Sequence, residues 1–316
     1  MTTRLRVILG SVAAIAFAIV QVRDLRAEMW SHALLAFAAL VLVPLMFQLW
    51  REEGESTAVR RLFAVTERLQ LPAALLLAGA CALPRGTVAG IFAAPWTALT
   101  VLLAASGALR LKADGIRRPL PGLCADASLM FGAVGGAWTL ADRIGFRPLG
   151  FDFAIVGLTA VHFHYAGLLL PTFAGLVQRE LWLSRLAARA AVGVILGVPA
   201  VALGITASQL GWAPAFEAAA GCGLALAGAI VAILHVRLAT ELRATIFARV
   251  LLGIAGVSLF FGMVLAALYA IRTHAMPFPW LQLPQMRMLH GTVNALGFGL
   301  CGALAWRRVA NQRQEN

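Results

Sequence analysis

An all-α bundle of about ten transmembrane helices is the fold that this sequence predicts, and three observations predict it. Hydrophobic residues make up 61% of the 316 residues, whereas charged residues make up only 13%. Soluble domains contain about 45–50% apolar and about 25% charged residues, so a single soluble core could not bury this much apolar surface. The apolar residues also form runs of the length that crosses a bilayer, separated by short loops. The composition therefore excludes a soluble enzyme, a nucleic-acid-binding domain and a disordered protein.

The predicted spans follow one another along the whole chain. A helix needs roughly 20 apolar residues to cross a bilayer core of about 30 Å, and the first and third spans are shorter than this. We expect the first span, which follows Arg4 and Arg6, to be an uncleaved helix, because no small-residue cleavage site comes after it. The longest loop, 51–69, is expected to be a surface segment. The spans are 7–20, 29–50, 70–83, 88–109, 121–140, 152–176, 187–209, 214–236, 246–271 and 288–306.

Basic residues indicate how these spans are oriented. The net charge is +12, and most of the 26 Lys and Arg residues fall in loops that share one side when ten spans alternate across the membrane. Cytoplasmic loops carry the excess of basic residues in membrane proteins. The sequence therefore predicts a multi-pass protein of the bacterial cytoplasmic membrane with both termini inside. On this scheme Arg110 and Arg118 lie in a cytoplasmic loop, and Arg85 and Arg143 lie in outer loops.

Polar content divides the chain into two regions and a tail. Residues 1–120 form a four-span region to which no role is assigned, residues 121–306 form a six-span region with polar side chains at membrane depth, and residues 307–316 form a short cytoplasmic tail. Ionisable side chains inside a bilayer are costly and usually functional. The candidate acid–base or substrate residues are Asp126, His162, His164, Tyr165, Glu217, His290 and Asn294.

Helical spacing sorts the histidines. His162 and His164 are two residues apart and point about 200° apart on a regular helix, so only one of them can face a given cavity. His290 and Asn294 are four residues apart and share a face. We expect one of the first two histidines to meet this face in an interior cavity. Replacing His164 or His290 by Ala is then predicted to abolish activity without impairing membrane insertion, because histidine carries protons near neutral pH.

The sequence predicts no cofactor and no metal. A bis-histidine haem needs two facing imidazoles from different helices, and the depths of the candidate histidines differ. A zinc site needs three or four ligands at characteristic spacings, and neither the histidines nor the four cysteines show such spacings. His32 and His235 lie near span ends, where we expect interfacial side chains.

Two motifs resemble those of the YndJ-like bacterial membrane proteins. One is the run H-F-H-Y-A-G at residues 162–167, and the other is H-G-T-V-N-A-L-G-F at residues 290–298. A weaker third element, G-G-A-W at residues 135–138, follows Asp126. The resemblance extends over about 120–306. It implies a transporter, and it suggests that the histidines, Tyr165 and Asn294 of the motifs belong to one site with Asp126.

Two classes of function remain open, with a haem or quinone redox protein as a weaker third. The first is a proton-linked secondary transporter or permease of a small or lipophilic molecule, with a proton path and a substrate site near the midplane. The second is an integral membrane enzyme, such as an isomerase, cyclase or hydrolase, that uses histidine and carboxylate as acid and base. No ATP-binding motif is present. The expected partners are membrane lipid and this substrate, and no nucleic acid. A polar line across the membrane would favour the transporter, and a closed pocket would favour the enzyme.

Overall fold

Long apolar helices make up the protein. The computed structural model describes residues 2–22, 27–272 and 279–315. Within these ranges the chain contains no β-strand, and ten of its helices are long and apolar enough to cross a membrane. The predicted fold class is therefore confirmed.

Seven of these helices are uninterrupted. They are α1 (Thr3–Val22), α3 (Thr57–Ala82), α4 (Thr87–Asp114), α5 (Leu120–Ile144), α7 (Arg185–Gln209), α8 (Pro214–Glu241) and α9 (Ile246–Ala270).

The other three helices each contain a π-helical turn between two α-helical parts. Helix α2 consists of Ala27–Phe37, the turn Ala38–Leu42 and Val43–Trp50. Helix α6 consists of Phe153–His162, the turn Phe163–Gly167 and Leu169–Glu180. Helix α10 consists of Leu283–Thr292, the turn Val293–Leu300 and Cys301–Glu315.

Two helices extend furthest beyond their predicted spans. The third span was expected to begin at residue 70, but α3 begins at Thr57, because the Ser56 hydroxyl caps it by accepting a hydrogen bond from the backbone N–H of Val59 at 3.3 Å. The first turns of α3 carry charged side chains, so their hydropathy does not reveal them. Helix α10 likewise continues through the predicted tail as far as Glu315.

Caps and glycines determine several other helix ends. The hydroxyls of Ser184 and Thr245 accept hydrogen bonds from the backbone N–H groups of Ala187 and Ala248, at 3.2 and 3.3 Å, and so begin α7 and α9. Helix α5 ends at Gly145, whose φ of 80° lies in the left-handed region that favours glycine.

The helices form two compact units. The first unit comprises Met1–Pro119 and Ala125–Leu169, and the second comprises Leu120–Cys124 and Leu170–Asn316. Helices α5 and α6 therefore contribute to both. Within the first unit α1 packs closely on α2, because a side chain at Gly10 would place Cβ 2.0 Å from the Leu40 carbonyl oxygen. Within the second unit α8 packs against both α7 and α9. The division of roles at residue 120 stays a prediction.

Candidate functional site

Two of the three π-helical turns coincide with the two sequence motifs, and the third, Ala38–Leu42, lies outside them. The turn Phe163–Gly167 contains His164 and Tyr165, and the turn Val293–Leu300 contains Asn294. In the first turn the Leu168 N–H donates to the Phe163 carbonyl five residues earlier, at 3.0 Å. Such turns are rare and occur frequently at functional sites. The backbone thus singles out the same segments that the sequence does.

His164 is held by hydrogen bonds at both ring nitrogens. Its Nδ1 lies 2.7 Å from the Ala160 carbonyl oxygen, and the indole N–H of Trp96 donates to its Nε2 at 2.9 Å. Because a carbonyl only accepts and an indole N–H only donates, Nδ1 carries the hydrogen and Nε2 the lone pair. His164 is therefore a neutral, buried bridge between α4 and α6. It can take up a second proton only by breaking the bond to Trp96.

The third motif element explains how this bridge fits. A Cβ atom at Gly135 would lie 2.9 Å from His164 Nδ1, and one at Gly136 would lie 2.0 Å from the Thr100 hydroxyl oxygen on α4. Small residues allow helices to approach closely in membranes. The two adjacent glycines therefore let α5 approach α6 on one face and α4 on another.

The neighbours of His164 in the motif differ in their surroundings. The Tyr165 hydroxyl donates to the Leu34 carbonyl oxygen on α2 at 2.8 Å, and the side chain is buried. The His162 side chain is only partly buried, and its ring meets that of Phe163 edge to face. His162 and His164 thus lie in different environments.

Asp126 belongs to a group of charged side chains that we call the Asp126 cluster: Glu52, Glu55, Arg110, Arg118 and Asp126. Arg118 donates to Asp126 Oδ2 at 2.5 Å and also binds Glu52. Arg110 binds Glu55 and lies 3.7 Å from Asp126 Oδ1. These residues come from the segment between α2 and α3, from α4, from the loop between α4 and α5 and from the first two turns of α5. Both arginines were assigned to a loop, yet they are largely buried.

A second group, the Asp142 cluster, lies near the other end of α5 and consists of His32, Arg85, Asp142 and Arg143. Arg143 donates to Asp142 Oδ2 at 2.8 Å through Nε, and Arg85 donates to Oδ1 at 3.1 Å. His32 Nε2 lies 3.7 Å from the same carboxylate. The side chain of His32, which was expected at the membrane interface, is buried beside this carboxylate. Sequence reasoning missed the cluster because the fifth span was predicted to end at residue 140.

One face of α5 carries polar side chains between the two clusters, and Asp126 lies on the opposite side of the helix because it is two residues before Ser128. Ser128, Gly135, Thr139 and Asp142 are spaced so that they lie on the same side of the helix. Ser128 donates to the Leu168 carbonyl oxygen at 2.6 Å, and Thr139 donates to the Gly135 carbonyl oxygen at 2.8 Å. About 24 Å of helix axis separates the Asp126 and Asp142 positions, which is most of a bilayer core of about 30 Å.

In the second unit His290 and Asn294 both contact Gly262 of α9. His290 Nδ1 lies 2.9 Å from the Gly262 carbonyl oxygen, so Nδ1 donates and Nε2 keeps its lone pair. Asn294 donates to the His290 carbonyl oxygen at 2.8 Å, and its Oδ1 is buried without a hydrogen bond from the described residues. His290 is thus oriented by the protein and retains one nitrogen that can accept a proton.

Glu217 has a different kind of partner. It pairs with Arg272 at 3.4 Å, and the Arg272 guanidinium lies 4.0 Å from the centre of the Tyr269 ring. Glu217 is partly exposed in the first turn of α8. This pair joins α8 to the end of α9.

His235 repeats the hydrogen bonding of His164. Its Nδ1 lies 2.8 Å from the Val231 carbonyl oxygen, and Trp306 donates to its Nε2 at 3.1 Å. The side chain of His235, which was expected at the membrane interface, is fully buried within the protein. A usable signal was present, since a tryptophan inside an apolar span needs an acceptor for its N–H.

The predicted site residues are divided between the two units. Asp126, His162, His164 and Tyr165 lie in the first unit, and Glu217, His290 and Asn294 lie in the second. Their convergence on one cavity stays a prediction. Among the described residues, no three His, Cys, Asp or Glu side chains are grouped in a way that could hold a metal ion.

Comparison with known proteins identifies the family. The model of the YndJ-like protein family matches residues 33–298. The chain belongs to the YndJ-like family. The family match includes both motifs, and it begins far before residue 120, where the resemblance was expected to start.

One relative in the YndJ-like family is the Bacillus subtilis (strain 168) protein named "Uncharacterized membrane protein YndJ". It is 37% identical over 128 residues, which cover 39% of this chain and 22% of that protein. The match thus spans about a fifth of the relative's length. No solved structure matches this YndJ-like chain significantly.

Proposed function

We propose that this YndJ-like protein is a proton-linked secondary transporter of a small or lipophilic molecule in the bacterial cytoplasmic membrane. One observation carries the proposal: α5 has a buried cluster of ionisable side chains near each end, with the hydroxyls of Ser128 and Thr139 between them. Buried ionisable groups in transmembrane helices mark ion and substrate pathways. A line of polar and ionisable groups along one helix could conduct protons across the membrane, as a transporter requires. A reaction pocket that opens on one side does not require such a line.

The side chains along α5 have the chemistry of a proton path. The hydroxyl oxygen of Thr139 keeps lone pairs after donating to the Gly135 carbonyl, so it can accept a further hydrogen bond. Asp126 and Asp142 provide titratable groups at the two ends. Both ring nitrogens of His164 are hydrogen-bonded, so in this proposal His164 fixes the position of the helices and does not carry the proton.

Orientation is the first testable part of this proposal. Both termini are expected in the cytoplasm, because most basic residues fall in the loops that this arrangement places inside. A green fluorescent protein fused after residue 316 should fluoresce, and an alkaline phosphatase fused there should be inactive in intact cells. The reverse pair of results would contradict the orientation and would invert the direction of the path.

Thr139→Val tests the path itself. The purified chain is reconstituted into liposomes that contain a pH-sensitive dye, and gradients of short-chain amines, carboxylic acids and uncharged amphipathic molecules are applied. At least one solute is expected to move protons in these liposomes and not in empty ones. Thr139→Val keeps the side-chain volume, removes a hydroxyl from the line, and should slow that proton movement by more than about tenfold.

Thr206→Val is the matched control. Thr206 on α7 donates to the carbonyl four residues earlier at 2.8 Å, as Thr139 does, but it lies away from α5 in the sequence and in the other unit. It should leave proton movement unchanged. Equal effects of the two substitutions, or no solute that moves protons, would contradict the proposal.

An integral membrane enzyme is the second candidate, and His290 favours it. Its imidazole is oriented by the Gly262 carbonyl and keeps a basic nitrogen, which is the arrangement of a general base. Asn294 adds a buried oxygen that accepts no hydrogen bond from the described residues. Mass spectrometry of the same solutes distinguishes the candidates: a chemically altered solute without proton movement, lost in His290→Ala, would support the enzyme.

A further inference from the structure

The Asp126 cluster contains more carboxylates than guanidinium groups. Arg110 binds Glu55, and Arg118 binds Glu52, so each arginine already has a glutamate partner. Asp126 shares Arg118 with Glu52 and has no arginine of its own. With all groups ionised, one negative charge is left without a matching positive charge.

The excess charge falls on a buried oxygen. The Asp126 side chain is 2% exposed, and its Oδ1 accepts no hydrogen bond from the described residues. The nearest cationic atom recorded for Oδ1 is Arg110 Nη1, at 3.7 Å, beyond hydrogen-bonding distance. An ionised oxygen in this position is costly, because it is buried and no donor among the described residues replaces its hydration.

The charged groups around Asp126 come from the segment before α3, from α4 and from the loop between α4 and α5. Glu52 and Glu55 come from the segment before α3, and Arg110 comes from α4, where its guanidinium lies 4.9 Å from the centre of the Phe63 ring. Asp114, at the end of α4, lies 3.5 Å from Arg118 but is 55% exposed, so solvent screens it. Arg51, whose guanidinium lies 5.4 Å from the centre of the same Phe63 ring, pairs with Glu67 at 3.1 Å and not with Asp126.

We infer that Asp126 holds a proton on Oδ1 and is the proton-binding site of this protein. Its part in transport rests on the proposed function, whereas its protonation rests only on the cluster. On release, the O–H bond breaks, the proton passes to water, and the carboxylate competes with Glu52 for Arg118. Glu52 is 33% exposed, so proton exchange can alter how its segment is held at the rim of the cluster.

Infrared spectroscopy of the purified full chain in lipid tests this inference. The wild type should show the C=O stretching band of a protonated carboxylic acid at neutral pH, and the band should disappear as the pH is raised. Isotopic labelling of aspartate at the carboxyl carbon should shift the band, which excludes Glu52 and Glu55 as its source. Asp126→Asn should lack the band.

Asp114→Asn is the control, because Asp114 borders the same cluster and is exposed. It should retain the band. Absence of a carboxylic acid band from the wild type, a band that aspartate labelling does not shift, or a band that persists in folded Asp126→Asn would overturn the inference. The labelling result stands on the wild type alone and so does not depend on the folding of the variant.

The inference and the proposed function can fail separately. If the band is assigned to Asp126 but the protein moves no protons in liposomes, the proton-binding site is supported and the transporter proposal is contradicted. If the protein moves protons but shows no such band, the transporter proposal is supported and its proton-binding residue is not Asp126.

Discussion

Asp142→Asn is expected to lower the free energy of unfolding by about 3–5 kcal/mol, because it leaves a buried arginine without its charged partner. The Arg143 side chain is 2% exposed, and its Nε and Nη2 both contact the Asp142 carboxylate. After the substitution, Nε and Nη2 lose the carboxylate. The guanidinium then keeps the hydrogen bonds that its Nη1 donates to the carbonyl oxygens of Ala80 and Leu83. Titration with SDS in mixed micelles measures the change, and a thiol-reactive dye can follow exposure of the buried Cys81 and Cys124 on heating.

Asp126→Asn makes a sharp comparison, because it removes a carboxylate of similar burial near the other end of the same helix. Here Arg110 and Arg118 keep Glu55 and Glu52, so removal of Asp126 leaves the charges balanced. Its effect on the free energy of unfolding should be much smaller. Equal destabilisation by both substitutions would contradict the difference in charge balance between the two clusters.

His164→Ala is expected to lower the free energy of unfolding by about 2–4 kcal/mol, through a cavity and a buried indole N–H that loses its acceptor. Trp96 is fully buried, so water cannot replace the lost partner at its Nε1. His164→Gln should recover part of the loss, because an amide oxygen can accept the same hydrogen bond.

A double-mutant cycle with Trp96→Phe isolates the bond itself. The two single substitutions should be non-additive, since each removes the same hydrogen bond. Proton movement per folded molecule should survive in His164→Ala. Loss of proton movement with unchanged stability would instead support the sequence-based prediction that His164 is a proton carrier.

The sequence predicted the number and order of the helices well and their ends less well. Hydropathy identifies a span by its apolar residues, so it found all ten spans. It placed the start of α3 thirteen residues late, because the first turns of that helix carry Arg60, Arg61 and other polar side chains. Only the cap at Ser56 marks the true start.

The site was predicted in part, because motifs reveal residues and not their partners. The run at 162–167 singled out His164, but Trp96 lies 68 residues earlier and no local pattern connects them. Arg143 looked like a loop residue because it lies just beyond the apolar run of its span. Charged side chains at helix ends are solvated or buried according to what packs on them, and that information lies in other parts of the chain.

The π-helical turns give α6 and α10 a property that a regular helix lacks. A π-helical turn takes up more residues than the α-helical path needs, and each extra residue puts the two parts of the helix out of phase by about 100°. Deleting one residue from Phe163–Gly167 would restore the α-helical phase and rotate Leu169–Glu180 about its own axis, with an axial shift of only about 1.5 Å. A one-residue change of length at either motif therefore alters which side chains face the interior while leaving their depth in the membrane nearly constant.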